Sequence, residues 1–190
     1  MPTDHQSDLN SYLNTGTGLA SLYVHPQIDC PEYRNVLKAL HGLKPTKRPS
    51  VVALDLPKSM YKKEISRNEW MAQASANVFK NYRSAKMLVV TGNFHVFKRM
   101  VWQDHVPNKT GSIHEYLNSM APDLQAFSIG QLIDEDPDQC DFTKTYGPVK
   151  GSIALDCTEG FSKDWKIWVA LKIAIKKPEP CQLFDGLIVY

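Results

Sequence analysis

Two short apolar runs, VVAL at Val51–Leu54 and MLVVT at Met87–Thr91, flank a stretch with helical spacing, and together they narrow the architectures open to this chain. Each run is rich in β-branched residues and closes on turn formers, Asp55 with Pro57 in one case and Gly92-Asn93 in the other, which predicts a buried strand. Between them, Ser66-Arg67-Asn68-Glu69 has the capping-box pattern, in which a hydroxyl takes one orphan amide and the carboxylate reaches back to another. Met71, Ala74, Val78 and Tyr82 then recur at three and four residues, with Phe79 beside them, so a helix is expected from Ser66 to about Arg83. Strand, helix and strand at this spacing predict a right-handed parallel crossover.

The rhythm extends in both directions. Val36, Leu37, Leu40 and Leu43 give a helix over Pro31–Leu43, broken by the prolines of KPTKRPS. Ser112-Ile113-His114-Glu115 is a second capping box, opening a helix that ends before Pro122, and Leu124–Ile129 reads as strand. Beyond about Asp134 the pattern turns to strand and turn. Trp165, Ile167, Val169, Leu171, Ile173 and Ile175 alternate with Lys166, Lys172 and two alanines, the period of a half-buried strand. Asp185-Gly186 turns into a last strand over Gly186–Tyr190. The expected fold class is therefore α/β: a mixed sheet with parallel strand-helix-strand units in the first two thirds and antiparallel strands at the C-terminal end. One domain over residues 1–190 is the economical reading, since a chain of 190 residues buries about 70% of its unfolded surface.

Composition excludes several classes. Hydrophobic residues at 43% and charged residues at 22% argue against disorder and coiled coil. Apolar runs such as Ile167–Leu171 fall far short of the roughly 20 residues that span a bilayer, so no integral membrane segment is expected. A net charge of +2 with interspersed signs gives no field for a polyanion, so nucleic acid is not an expected partner. Met1–Asn10 has neither a basic start nor an apolar stretch, which predicts a cytoplasmic address if Met1 is the natural start. Cys30, Cys140, Cys157 and Cys181 form no CxxC pair, and free thiols are expected.

Ligands of open α/β sheets gather outside the carboxyl ends of parallel strands, which singles out Asp55, Arg67 and His95. Arg67 is a cation in the first turn of a helix, against the positive end of the macrodipole at a cost of up to about 1 kcal/mol. Two readings follow: a guanidinium forked to a substrate carbonyl or carboxylate, or a stem covering apolar surface with its head in water or on Asp55. His95, in a G-x-x-H pattern from Gly92, is a general base or metal ligand, or else a loop histidine bonded to backbone. Gly92 would let the chain turn sharply. His114 repeats the pattern from Gly111, but Ser112 is explained as a cap and His114 as an ordinary first-turn residue. Ser59 lacks a nucleophile elbow and reads as a loop serine. Trp102, His105 and Tyr116 line a pocket or simply pack, and Lys172, Lys176 and Lys177 read as a solvated or edge-protecting face.

Taken together, ISRNEWMA (Ile65–Ala72) followed by MLVVTGNFHV (Met87–Val96) resembles the paired motifs of the superfamily that joins erythromycin esterase-like proteins, ChaN-like haem-binding lipoproteins, TraB proteins and Tiki proteases. LNSYLNTG (Leu9–Gly16), YRNVLKALHGL, VVALDLP and the closing FDGLIVY resemble the esterase-like branch. The resemblance covers about Leu9 to Ile133 and the last few residues. It implies a hydrolase in which His95 activates water and Arg67 binds the scissile group, with Glu69 near the same helix start and Gly92 and Asn93 presenting the histidine. Asp55 is added from strand-end geometry as the partner carboxylate, alongside Glu69. The ChaN-like branch implies instead a module binding haem or a divalent metal, although the residues themselves demand no cofactor. Members begin with an earlier strand bearing a G-E-x-H type motif, and none precedes Leu9 here. The resemblance thus also implies the C-terminal part of a longer domain, or a reduced, inactive member. Its partner is a small-molecule substrate or ligand, and the site requires that Arg67 and His95 meet over a common pocket. Oligomeric state is not legible in the residues.

Overall fold

Local signals at Pro31, Ser66 and Ser112 mark where three helices of this chain begin, as a computed structural model shows. The structure describes residues 1–26, 28–61, 64–100, 102, 104, 109–132, 151–154 and 180–189. The chain divides into two compact units, Met1–Met71 and Ala72–Tyr190. Helix predominates and strand is sparse. Among the described residues no helix is long and apolar enough to cross a membrane.

The first unit is built on α1 (Gln6–Thr15) and α2 (Pro31–Gly42), which pack together. Leu9, Tyr12 and Leu13 form the inner stripe of α1 and meet Leu22 and Leu37, with Tyr33, Leu40 and Val51 closing around them. The face of α2 is thus Tyr33, Leu37 and Leu40. Val36 and Leu43, expected on it, are 56% and 42% exposed. Proline at the start of α2 suits a position whose amide has no intrahelical acceptor. Arg48 closes both helix ends, donating to the carbonyls of Leu13, His41 and Leu43, and His41 Nδ1 lies 2.9 Å from Leu13 O.

α1 ends on Gly16, at φ 75°, whose amide donates to Tyr12 O at 2.7 Å. A Cβ here would lie 2.6 Å from His41 Nε2. Gly16→Ala therefore combines left-handed strain with a clash, and we expect a loss of about 2 kcal/mol on urea unfolding. A stability equal to wild type would show that neither constraint operates.

Three expected strands are corrected. Val51–Leu54 forms no ladder. Its backbone is satisfied by the carboxamide of Gln6, which donates to Val51 O at 3.0 Å and accepts from Ala53 N at 2.7 Å, in place of a neighbouring strand. Nearby, Pro2 and Asp55 form a parallel bridge. Met87–Thr91 likewise has no ladder partner among the described residues; Leu88 is 86% and Val90 69% exposed. Of Leu124–Ile129, only Ile129 belongs to a strand. A β-branched apolar run favours extended backbone but does not specify a partner, so the parallel crossover units expected in the first two thirds are not formed by these segments.

α3 (Arg67–Asn81) starts at Ser66, whose Oγ accepts from Glu69 N at 3.1 Å. Its buried stripe is Asn68, Met71, Ala72 and Ser75. Tyr82, expected on the inner face, lies past the helix end and is 67% exposed. In the second unit, α4 (Ile113–Met120) has the complete capping box of Ser112 and Glu115. Glu115 also accepts from Met100 N at 3.1 Å, tying the helix start to the preceding segment. A three-stranded sheet follows, ordered β1 (Ile129–Leu132), β3 (Gly186–Val189), β2 (Gly151–Ala154), with β1 parallel and β2 antiparallel to the central strand. Ile129 is in register with Gly186, and Ala154 with the same residue from the other side. Helix α5 (Pro180–Leu183) leads into β3. Phe97 and Phe184, 0% and 1% exposed, meet edge to face at 5.3 Å in the core of this unit. The strand expected over Trp165–Ile175, His105, and the lysines Lys172, Lys176 and Lys177 lie outside the described residues. Cys30 is an exposed free thiol, whereas Cys181 is disulfide-bonded, which corrects the expectation of free thiols at that position.

Candidate functional site

Asp55 is presented by the bridge with Pro2: its amide donates to Met1 O and its carbonyl accepts from Thr3 N, both at 2.9 Å. Its carboxylate, 7% exposed, faces the first turn of α3. Arg67 Nε donates to Oδ1 at 2.5 Å and Nη2 to Oδ2 at 2.6 Å, a bidentate fork. Leu56 N adds a third bond to Oδ1 at 2.8 Å. Burial pushes the Asp55 carboxyl up, but the Arg67 bonds and charge and the Leu56 amide outweigh it and hold it below the usual carboxylate range. The Asp55 bond raises Arg67, against the opposing effect of burial.

This geometry answers what the cation at the head of α3 is for. The carboxylate of Asp55 supplies the charge that offsets the macrodipole, and the fork is turned to it. Nη1 takes part in neither of these bonds, and the Arg67 side chain keeps 38% of its exposure. Glu69 lies one residue further along the same turn as Asn68, and its amide is the one that caps onto Ser66.

His95, Gly92 and Asn93 belong to the second unit. Asn93–Val96 forms a single 3₁₀ turn, with His95 N donating to Gly92 O at 2.9 Å, and the turn packs against β1 and α4. The His95 ring is half-buried. Gly92 is at φ −66° and ψ 150°, a conformation open to any residue, and a Cβ there would meet only His95 Cδ2 at 3.9 Å. The sharp glycine turn expected to present the histidine is therefore not what shapes this segment. The 3₁₀ hydrogen bond does so instead.

A polar cluster that the residue pattern did not announce lies at the entry to the sheet. His114 Nδ1 is 2.9 Å from Ser128 Oγ, and Ser128, 4% exposed, immediately precedes β1. Ser128 N donates to Asp185 Oδ2 at 2.8 Å, Asp185 N returns to Ser128 O at 2.7 Å, and Lys98 Nζ donates to Asp185 Oδ1 at 2.6 Å. A hydroxyl beside an imidazole has the parts of a nucleophile and base. Burial of Ser128 makes the pair a tie between α4 and β1 rather than an attacking group. The only signals in the sequence were the second G-x-x-H pattern and the Asp185-Gly186 turn, and neither reveals a partner so distant along the chain.

Burial lowers the His114 pKa, opposed by Asp185 and Glu115 and assisted by Lys98. The unfolded chain therefore takes up this proton first as pH falls. The stability tied to neutral His114 is fully present above about pH 6.5 and is lost as pH falls through the folded value. We expect His114→Gln to flatten the fall in unfolding free energy between about pH 7 and about pH 5; an unchanged slope would assign that fall to other groups.

Among the described residues no three of His, Cys, Asp and Glu gather into a group able to hold a metal ion. Comparison with family models, with curated proteins and with solved structures found no match.

Proposed function

We propose that the chain is an ester hydrolase of the esterase-like kind acting on a small-molecule substrate, with His95 as general base and Arg67 binding the oxygen of the scissile group. The observation that supports this reading is the hold of Asp55 on Arg67. A guanidinium fixed through Nε and Nη2 is oriented before substrate arrives, so a donor on its remaining edge spends nothing on reorganisation as negative charge develops. Asp55 is then a positioning residue, and Glu69 acts through the helix start that carries Arg67.

The same fork favours a second reading. Asp55 occupies the bidentate edge that a substrate carboxylate would need, so the pair fastens the segment after Leu54 to α3 and the chain is a non-catalytic member of its kind.

Assay of the full chain on short-chain p-nitrophenyl esters separates the two. Hydrolysis that His95→Ala and Arg67→Lys each lower by about 100-fold or more in kcat/KM, with folding retained, is the result expected of the enzyme. Hydrolysis equal in all three proteins rejects both assignments. A wild-type rate no greater than the buffer blank establishes the fastening role alone.

A further inference from the structure

We propose that His114 and Ser128 form a pH-operated latch, which holds α4 to the start of β1 at neutral pH and releases the turn bearing His95 in mild acid. Both partners belong to the second unit, and their bond joins two elements directly. In neutral His114 with its proton on Nε2, the Ser128 hydroxyl donates to Nδ1 across 2.9 Å. Protonation reverses that bond. Nδ1 must then donate, and the hydroxyl proton needs a new acceptor within a residue 4% exposed, whose Oγ bonds only to His114 among the described residues.

Three charged groups face His114: Asp185 from the approach to β3, Lys98 from the segment after the His95 turn, and Glu115 from α4 itself. Neither carboxylate is idle. Asp185 is committed through both oxygens, Oδ1 to Lys98 Nζ at 2.6 Å and Oδ2 to Ser128 N at 2.8 Å. Glu115 Oε2 accepts from Met100 N at 3.1 Å and from Ser112 N at 2.8 Å. An imidazolium therefore gains Asp185 only by displacing Lys98 or the Ser128 amide, and either exchange loosens the entry to β1. Burial is the main cause that makes the charged ring costly here, with Asp185 and Glu115 opposing it and Lys98 assisting. The Asn93–Val96 turn packs against both α4 and β1, so parting these two elements removes its seat. The latch concerns how this turn is held and stands apart from any catalytic role of His95.

The test is amide hydrogen exchange on the full chain at about pH 7 and about pH 5, expressed as protection relative to the unstructured rate at each pH. The reporters are Ser128 N and Lys98 N, which donate to Asp185 Oδ2 at 2.8 Å and to Leu183 O at 2.7 Å, with Trp70 N, bonded to Ser66 O, as the reference in the first unit. In the wild type, protection at both reporters should fall about tenfold or more at the lower pH while Trp70 keeps its own. His114→Gln, which hydrogen-bonds without titrating in this range, should abolish the fall. Ser128→Ala should exchange fast at both pH values. In His95→Gln, where residue 95 cannot titrate, the amide at that position, which donates to Gly92 O in the wild type, reads the turn and should lose protection with the other two. Protection indifferent to pH in the wild type, a fall of the same size in His114→Gln, a fall shared equally by Trp70, or a steady residue 95 in His95→Gln overturns the latch.

Discussion

Phe97→Ala should cost about 3–5 kcal/mol of unfolding free energy, among the largest effects of any single truncation in the second unit. Phe97 is fully buried and its ring meets Phe184, itself 1% exposed, at an interplanar angle of 71°. Truncation loses the transfer energy of a whole aromatic side chain, leaves a cavity against Phe184, and forfeits an edge-to-face pair worth about 0.5–1.5 kcal/mol beyond its area. Phe97→Leu keeps most of the volume and should recover more than half of the loss. Because residue 97 ends the 3₁₀ turn of His95, the alanine variant should also loosen that turn. Chemical denaturation of the three proteins checks the order. An alanine variant within about 1 kcal/mol of wild type would mean that this aromatic pair does not organise the unit.

The second large effect is expected at Asp55. In Arg67→Ala the carboxylate, 7% exposed in the wild type, loses its fork partner, and in Asp55→Ala a half-buried guanidinium is orphaned at the positive end of α3. Breaking a fully buried pair costs about 3–5 kcal/mol; the 38% exposure of Arg67 lets water screen part of this, so about 2–4 kcal/mol is expected for either variant. The pH dependence follows from the depressed carboxyl. Its stabilisation is present above the ordinary aspartate value of about 3.9 and disappears as pH falls through the lower folded value. Asp55→Asn should therefore remove a component of acid unfolding below about pH 4 and leave the His114 component, nearer neutrality, in place. Acid unfolding curves that superimpose for Asp55→Asn and wild type would show that the pair does not contribute.

The helices were legible because their starts are written locally. Ser66 with Glu69, Ser112 with Glu115, and Pro31 each supply their signal within four residues, and each helix begins beside it. Helix α1 is not legible because no side-chain cap marks its start and only three of its ten residues, Leu9, Tyr12 and Leu13, are apolar. Of the expected strands that fall on described residues, the last one, over Gly186–Tyr190, is present as β3 (Gly186–Val189), its turn being marked locally by Asp185-Gly186; the earlier ones are not legible, since pairing is a long-range property. Val51 and Ala53 are satisfied by the side chain of Gln6, some 45 positions away, a substitution no periodicity shows. Asp55 is legible from its place after an apolar run as one destination for Arg67, and the fork joins them. The first-turn position of His114 explains it locally, whereas its contact with Ser128 depends on how β1 enters the sheet. Local chemistry was therefore readable, and chemistry made by convergence was not.

The commitment of Arg67 to Asp55 underlies every role given to either residue. A double-mutant cycle with Asp55→Ala, Arg67→Ala and the combined variant, followed by urea unfolding at neutral pH, measures it directly. The bidentate pair predicts a coupling of about 1–3 kcal/mol, with the double variant losing much less than the sum of the two singles. Additive losses, within about 0.3 kcal/mol, would mean that the two side chains stabilise the fold independently and would contradict the account.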